Sequence, residues 1–252
     1  DIEAARDAAD AARDSLASAT RLLDILVLAR AGLAELDPLM LTDEEAVARR
    51  HASEKAQDHL AALEPLHFPL AFPEVFAGIR PGFDCILGNP PWEEVVVEEL
   101  AFWNTRFPGL KSLSNAEQAQ RMSQLRIERP DLVTQFEREC EVAEFIRQVL
   151  GCGAFPGMGT GDPDLYKAFS WRFWSLNTTV GTIGVVLPRS IFVTKGSADW
   201  RNAVLLSSDT SIVFTKNKGE WLFEDVNPGW PIALVCIGGR PPEPGIDVRG
   251  PV

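Results

Sequence analysis

Four consecutive residues, Asn89-Pro90-Pro91-Trp92, carry groups that can hold a planar amine. The Asn89 amide and the Pro90 carbonyl both present oxygen acceptors. Two acceptors facing one NH2 group take both of its hydrogens. They favour a tetrahedral nitrogen whose lone pair points at an electrophile. Two prolines stiffen the loop and remove competing N–H donors. The Trp92 ring can stack on the planar group that bears the amine. The set suits alkylation of an exocyclic amine rather than hydrolysis, and no strong general base is required if the proton leaves after transfer. The same residues also read as a rigid strand-to-loop turn.

Other chemistries find less material. The three histidines are His51, His59 and His67, and the four cysteines, Cys85, Cys140, Cys152 and Cys236, form no C-x-x-C pair. No metal site is expected. Cys85 and Cys236 lie in apolar runs and read as small core residues. Free thiols fit a reducing cytoplasm. With 24 Lys+Arg against 36 Asp+Glu, the net charge is −12, which argues against a free-standing nucleic-acid binder. Arg189, Lys195, Arg201, Lys216 and Lys218 form a less acidic late stretch. They read either as phosphate contacts or as solvated surface. No apolar run reaches the roughly 18–20 residues of a membrane span, so no membrane partner is expected. The acidic, Ala-rich first residues do not read as a secretory signal.

These residues need a frame. Residues 1–65 are Ala-rich with a single glycine, Gly32, and read as helical. Thr42-Asp43-Glu44-Glu45 offers a helix start, with one helix expected from about 43 to 63. His67 to Phe76, aromatic and broken by prolines, reads as a short strand and a tight loop. Phe83-Asp84-Cys85-Ile86-Leu87-Gly88 reads as a buried parallel strand that delivers Asn89 at its carboxyl end. Residues from about 93 to 150 read as a helical insertion. A Gly-rich loop, 151–161, leads into a helix begun at Asp162-Pro163-Asp164. Further strands are expected at 184–187, 211–214 and 232–237, the last two able to pair antiparallel, with a short helix at 197–206. The Pro-rich tail 240–252 reads as a linker. The order implies an α/β sheet with crossover helices, and ligands of such sheets bind beyond the strands' carboxyl ends.

The run Phe83 to Trp92 resembles motif IV of the DNA adenine-N6 methyltransferases. Pro69-Leu70-Ala71-Phe72-Pro73-Glu74-Val75-Phe76 resembles the segment that precedes this motif in large bacterial restriction–modification enzymes of the type IIG class and in phage-defence (PglX-like) methylases. Downstream, Asp164-Leu165-Tyr166-Lys167-Ala168-Phe169 resembles motif V, Gly181 to Pro188 motif VI, and Trp221-Leu222-Phe223 with the strand to Ile237 motif VIII. The ordered likeness covers about residues 66–239.

The resemblance implies part of a class I (Rossmann-like) methyltransferase sheet and transfer of a methyl group from S-adenosylmethionine to a flipped adenine. Asn89 and Pro90 would hold N6, Pro91 would stiffen the loop, and Trp92 would stack on the base. Phe223 would pack on the base from another side, and Phe169 and Phe72 would line the cofactor's adenine pocket. The family's Gly-rich motif I, upstream of motif IV, is missing from residues 1–65. The chain is therefore expected to be an internal piece, binding cofactor weakly by itself. Its partners would be double-stranded DNA, reached through the parent protein, and the parent's remaining methyltransferase and target-recognition regions. Two other readings stand beside this one. The same motif occurs in enzymes that methylate a glutamine side-chain amide or RNA adenine, and a methylase fold without motif I can serve as a non-catalytic scaffold.

Overall fold

The computed structural model describes residues 2–35, 37–158, 161, 163–218, 223, 229, 231–239, 241 and 243–250. The chain divides into two compact units, Asp1–Glu93 with Leu150–Val252, and Glu94–Val149.

The first unit opens with helices. Ala-rich sequence without Pro or Gly gives α1 (Ile2–Arg30), which buries Ile25 and Leu28. Residues 43–63 form two helices rather than one, α2 (Glu44–His51) and α3 (Glu54–Leu63). Ser53 is the cause. Its hydroxyl accepts from the Ala56 N–H and donates to the Arg50 carbonyl, so a local side-chain bond starts a new helix where the old one would continue. Ile25, Leu28, Val47, Ala56 and Leu60 make the core of this helical cluster.

The strand expected near residue 70 is instead two single-turn helices, α4 (Phe68–Ala71) and α5 (Pro73–Phe76), each with proline in its first turn. Phe68 opens the first turn, Phe76 closes the second, and Phe72 is the non-helical junction between them. With Phe83 they form a ring cluster at centroid distances of 5.4–6.3 Å. Gly82 leads into β1 (Phe83–Gly88) at φ +125°, and a Cβ there would lie 2.9 Å from both the Leu176 carbonyl and the Thr178 nitrogen.

The second unit is helical: α6 (Glu99–Arg106), α7 (Asn115–Glu128) and α8 (Pro130–Val149). A reciprocal cap between Ser114 and Glu117 starts α7. Phe102, Trp103, Leu110, Leu125 and Leu132 are buried together.

The first unit resumes with α9 (Leu165–Leu176), β2 (Asn177–Pro188), α10 (Ala198–Leu205), β3 (Thr210–Lys216), β4 (Pro231–Ile237) and β5 (Ile246–Arg249). The architecture is mixed α/β, with an open sheet of order β1-β2-β4-β3-β5. β1 runs parallel to β2, β4 runs antiparallel to both β2 and β3, and β5 runs parallel to β3. Part of the expected linker-like tail is therefore strand β5 of the sheet. The carboxyl ends of β1, β2, β3 and β5 share one edge, where β4 begins.

Alternation along the strands sends Ile183, Val185, Leu187, Ile212, Val235 and Ile237 into one core with Tyr166, Trp200 and Val204. The opposite face is open. Cys85 and Cys236, expected in the core, are exposed, because the same alternation turns them to that face. Leu87, also on β1, is 86% exposed. β1 is parallel, as expected, yet it is an edge strand and not a buried one. Among the described residues no helix is long and apolar enough to cross a membrane.

Candidate functional site

Asn89 to Trp92 leave β1 at the carboxyl edge. Asn89 is exposed, and its amide has no hydrogen-bond partner among the described residues. Pro90 is buried. Trp92 is half-buried against the sheet core, and its indole N–H donates to the Val186 carbonyl on β2 at 3.4 Å. The tetrapeptide thus combines a fixed proline, a ring anchored to the neighbouring strand and an amide facing solvent. Gly88 lets α9 come close. A Cβ there would lie 3.2 Å from the Phe173 ring.

The start of α9 is tied to this loop. The Leu165 N–H donates to the Glu93 carbonyl at 3.1 Å. Lys167, 7% exposed, pairs with the Asp164 carboxylate at 2.7 Å. The Tyr166 hydroxyl lies 3.0 Å from Ser190 Oγ, in the turn after β2. Burial and the nearby Asp164 charge push the Tyr166 phenol up to about 12, against the lowering effect of the Ser190 bond. Asp164, Tyr166, Lys167 and Ser190 form a polar network beneath the loop. The sequence reading passed over it, although a lysine three residues after an aspartate, inside an apolar helix, is a legible sign of a buried pair.

The ring residues separate. Phe169 is 38% exposed on α9, 5.9 Å from Phe173, the ring that approaches Gly88 at the end of β1. Phe72 belongs to the four-phenylalanine cluster under β1. The Phe223 backbone is held by the fully buried Asn217, whose side chain donates to its carbonyl at 2.7 Å and accepts from its N–H at 3.1 Å. Trp221 and Leu222, Gly159 of the Gly-rich stretch and Asp162 of the helix start lie outside the described residues. The Arg201 guanidinium donates through one nitrogen to the carbonyls of Ile191 and Thr194, which fixes the turn before α10.

No family model matches the chain, and no curated protein is significantly similar to it.

A second polar group lies away from the sheet. The buried Asp24 carboxylate bonds His51 Nε2 at 2.8 Å and His67 Nε2 at 2.7 Å. Gln57 braces His51, its side-chain nitrogen donating to the His51 carbonyl at 2.7 Å and lying 3.3 Å from Nδ1. Among the described residues no group of His, Cys, Asp and Glu is placed to hold a metal.

Proposed function

We propose that this chain carries the amine-holding part of a DNA adenine-N6 methyltransferase, within a larger restriction–modification or phage-defence protein. The observation that carries the reading is the exposed Asn89 amide, without a hydrogen-bond partner among the described residues, beside buried Pro90 at the carboxyl end of a parallel strand. Ligands of open α/β sheets bind at that edge. The parallel β1–β2 pair, followed by strands that turn antiparallel, supports the distal half of a class I methyltransferase sheet.

In this reading the Asn89 side-chain oxygen and the Pro90 carbonyl accept the two N6 hydrogens. The nitrogen lone pair then points away from both. The prolines hold the acceptors still, so no reorganisation accompanies the attack. The Trp92 ring, pinned to Val186, borders the base. The Asp164–Lys167 and Tyr166–Ser190 contacts are positioning elements that fix α9 against the loop.

S-adenosylmethionine, when bound, supplies an electrophilic methyl group. Phe169 fits its adenine, being partly exposed beside Phe173, the ring that approaches the end of β1. Phe72 is half-buried and packs against the Phe68 and Phe83 rings, so its ring is shared with that cluster. The Gly-rich stretch 151–161 follows helix α8, so it does not offer the strand-to-helix turn that cradles a nucleotide-like cofactor.

The test is methyl transfer by the full-length parent protein carrying Asn89→Ala, with labelled cofactor and DNA, RNA or protein as acceptor. The expected result is N6-methyladenine in DNA from the wild type and a loss of about a hundredfold or more in the variant, the scale of a misplaced reacting group. Near-normal turnover by the variant overturns the role of Asn89. Label in RNA or in a glutamine amide, and none in DNA, replaces the substrate. No transfer to any acceptor leaves the scaffold reading.

A further inference from the structure

Beyond the tetrapeptide, the carboxyl edge holds a cavity of about 400 Å³ between the ends of β2, β3 and β5. Arg189 enters it from the end of β2, Lys216 from the end of β3 and Arg249 from the end of β5. Phe214, Pro231 and Gly250 complete the walls. The register explains the convergence. Pro231 pairs with Lys216, and its neighbour Ile232 pairs with Pro188, the residue before Arg189. Topology therefore brings together three cations that are far apart in sequence.

Their chemistry is that of an anion site. The Arg189 guanidinium is exposed, stands 5.9 Å from the Phe214 ring centroid and has no ion-pair partner among the described residues. Arg249 pairs with Asp247 at 2.7 Å through one nitrogen, and its remaining N–H donors are available in a fixed fork. Three cations around one small cavity, in a chain of net charge −12, are a local exception to its acidity.

We infer that this cavity binds the phosphodiester backbone of the nucleic-acid strand whose base reaches Asn89. The inference rests on the adenine reading for that base, and the cavity itself does not depend on it. Strands lie about 4.8 Å apart and rise about 3.3 Å per residue, and Gly88 is level with Val185, three residues before the end of β2, so the ends of β2 and β3 stand roughly 11 and 19 Å from the end of β1. One phosphate per about 3.4 Å of stacked strand places such a backbone within a few nucleotides of the held base. The less acidic late stretch of the sequence points to this region through Arg189 and Lys216. Arg249 joins them only through β5.

The experiment measures binding of a fluorescein-labelled single-stranded oligodeoxynucleotide of about 12 residues to the 252-residue chain across a salt series. Each phosphate contact adds about −0.7 to the slope of log K against log salt for a single strand, so the two arginines give about −1.4. Arg189→Gln and Arg249→Gln are each expected to reduce that slope by about 0.7. From about 1 M to 50 mM salt this is roughly an eightfold loss per variant, 20 to the power 0.7. Arg138→Gln, the same charge change at an exposed site in the other unit, is expected to leave binding unchanged. Circular dichroism of each variant checks that its fold is intact.

Equal loss in Arg138→Gln, or none in Arg189→Gln and Arg249→Gln, overturns the site. So does an octaglutamate peptide that binds as tightly with the same losses, which would make the cavity a seat for an acidic protein segment. The two readings fail separately. If the cavity variants lose binding while Asn89→Ala methylates normally, the phosphate site stands and the role of Asn89 falls.

Discussion

Asp164→Ala tests whether the start of α9 is held by a buried charge pair. The Lys167 side chain is 8% exposed and that of Asp164 16%, with nitrogen and oxygen 2.7 Å apart. Removing the carboxylate takes away the acid 2.7 Å from a buried ammonium group. Breaking a buried pair from one side costs about 3–5 kcal/mol. At about 2–4 °C per kcal/mol for a unit of 150–250 residues, the melting temperature falls by roughly 6–20 °C. Replacing both partners by apolar residues, Asp164→Leu with Lys167→Met, removes the buried charge. That double variant is expected to melt within about 1 kcal/mol of the wild type, or above it. Thermal melts followed by far-ultraviolet circular dichroism, arranged as a double-mutant cycle, read both effects. A single variant costing less than about 1 kcal/mol refutes the burial argument, since so small a cost belongs to exposed pairs. A double variant as unstable as the sum of the singles refutes the coupling.

Three further outcomes follow from the same contacts. Tyr166 is the sole tyrosine, so tyrosinate absorbance reports it alone: its ionisation is expected near pH 12, and a midpoint at 10 refutes the burial. Because the folded value is raised, its contribution is complete below pH 10, declines between 10 and about 12, and disappears in Tyr166→Phe, as alkaline unfolding curves of the two proteins would show. Thiol titration with an aromatic disulfide is expected to modify the exposed Cys85, Cys152 and Cys236 quickly and Cys140 last, since burial and neighbouring glutamates push the Cys140 thiol up; early labelling of Cys140 refutes that order. In the second unit, the Ser114 bond holds Glu117 and the Arg129 bond holds Asp131 below the usual carboxylate range. Their stabilisation is present above that range and is lost as pH falls through the lowered values, so Ser114→Ala with Asp131→Asn should flatten the acid-unfolding profile. A profile as steep as the wild type's refutes it.

What the sequence made legible was local. An apolar run closed by Gly88 and two prolines marks the end of a strand within ten residues, and β1 ends at Gly88. The short apolar runs of β3 and β4 read as strands able to pair antiparallel, and they do. Pairings set by topology were not legible. Asp24 meets His51 and His67 across 27 and 43 positions, with no periodicity to betray it. Alternation tells which residues share a face but not which face is covered, so Cys85 and Cys236 read as core although theirs is the open side. Ser53 shows a third limit: one hydroxyl able to bond its own backbone divided a helix whose apolar pattern runs straight through it.

The exposed strand β1 has a consequence for self-association. An edge strand offers unpaired backbone groups to any other strand, and Leu87 adds an apolar invitation. Pro90 and Pro91 close that offer two residues beyond the end of the strand, because neither has an N–H to give a newcomer. Pairing between molecules can thus run along six residues and then must stop. The residues that hold the amine therefore also limit how far the chain can grow into an aggregate. Replacing the prolines to loosen the loop would extend the sticky edge at the same time.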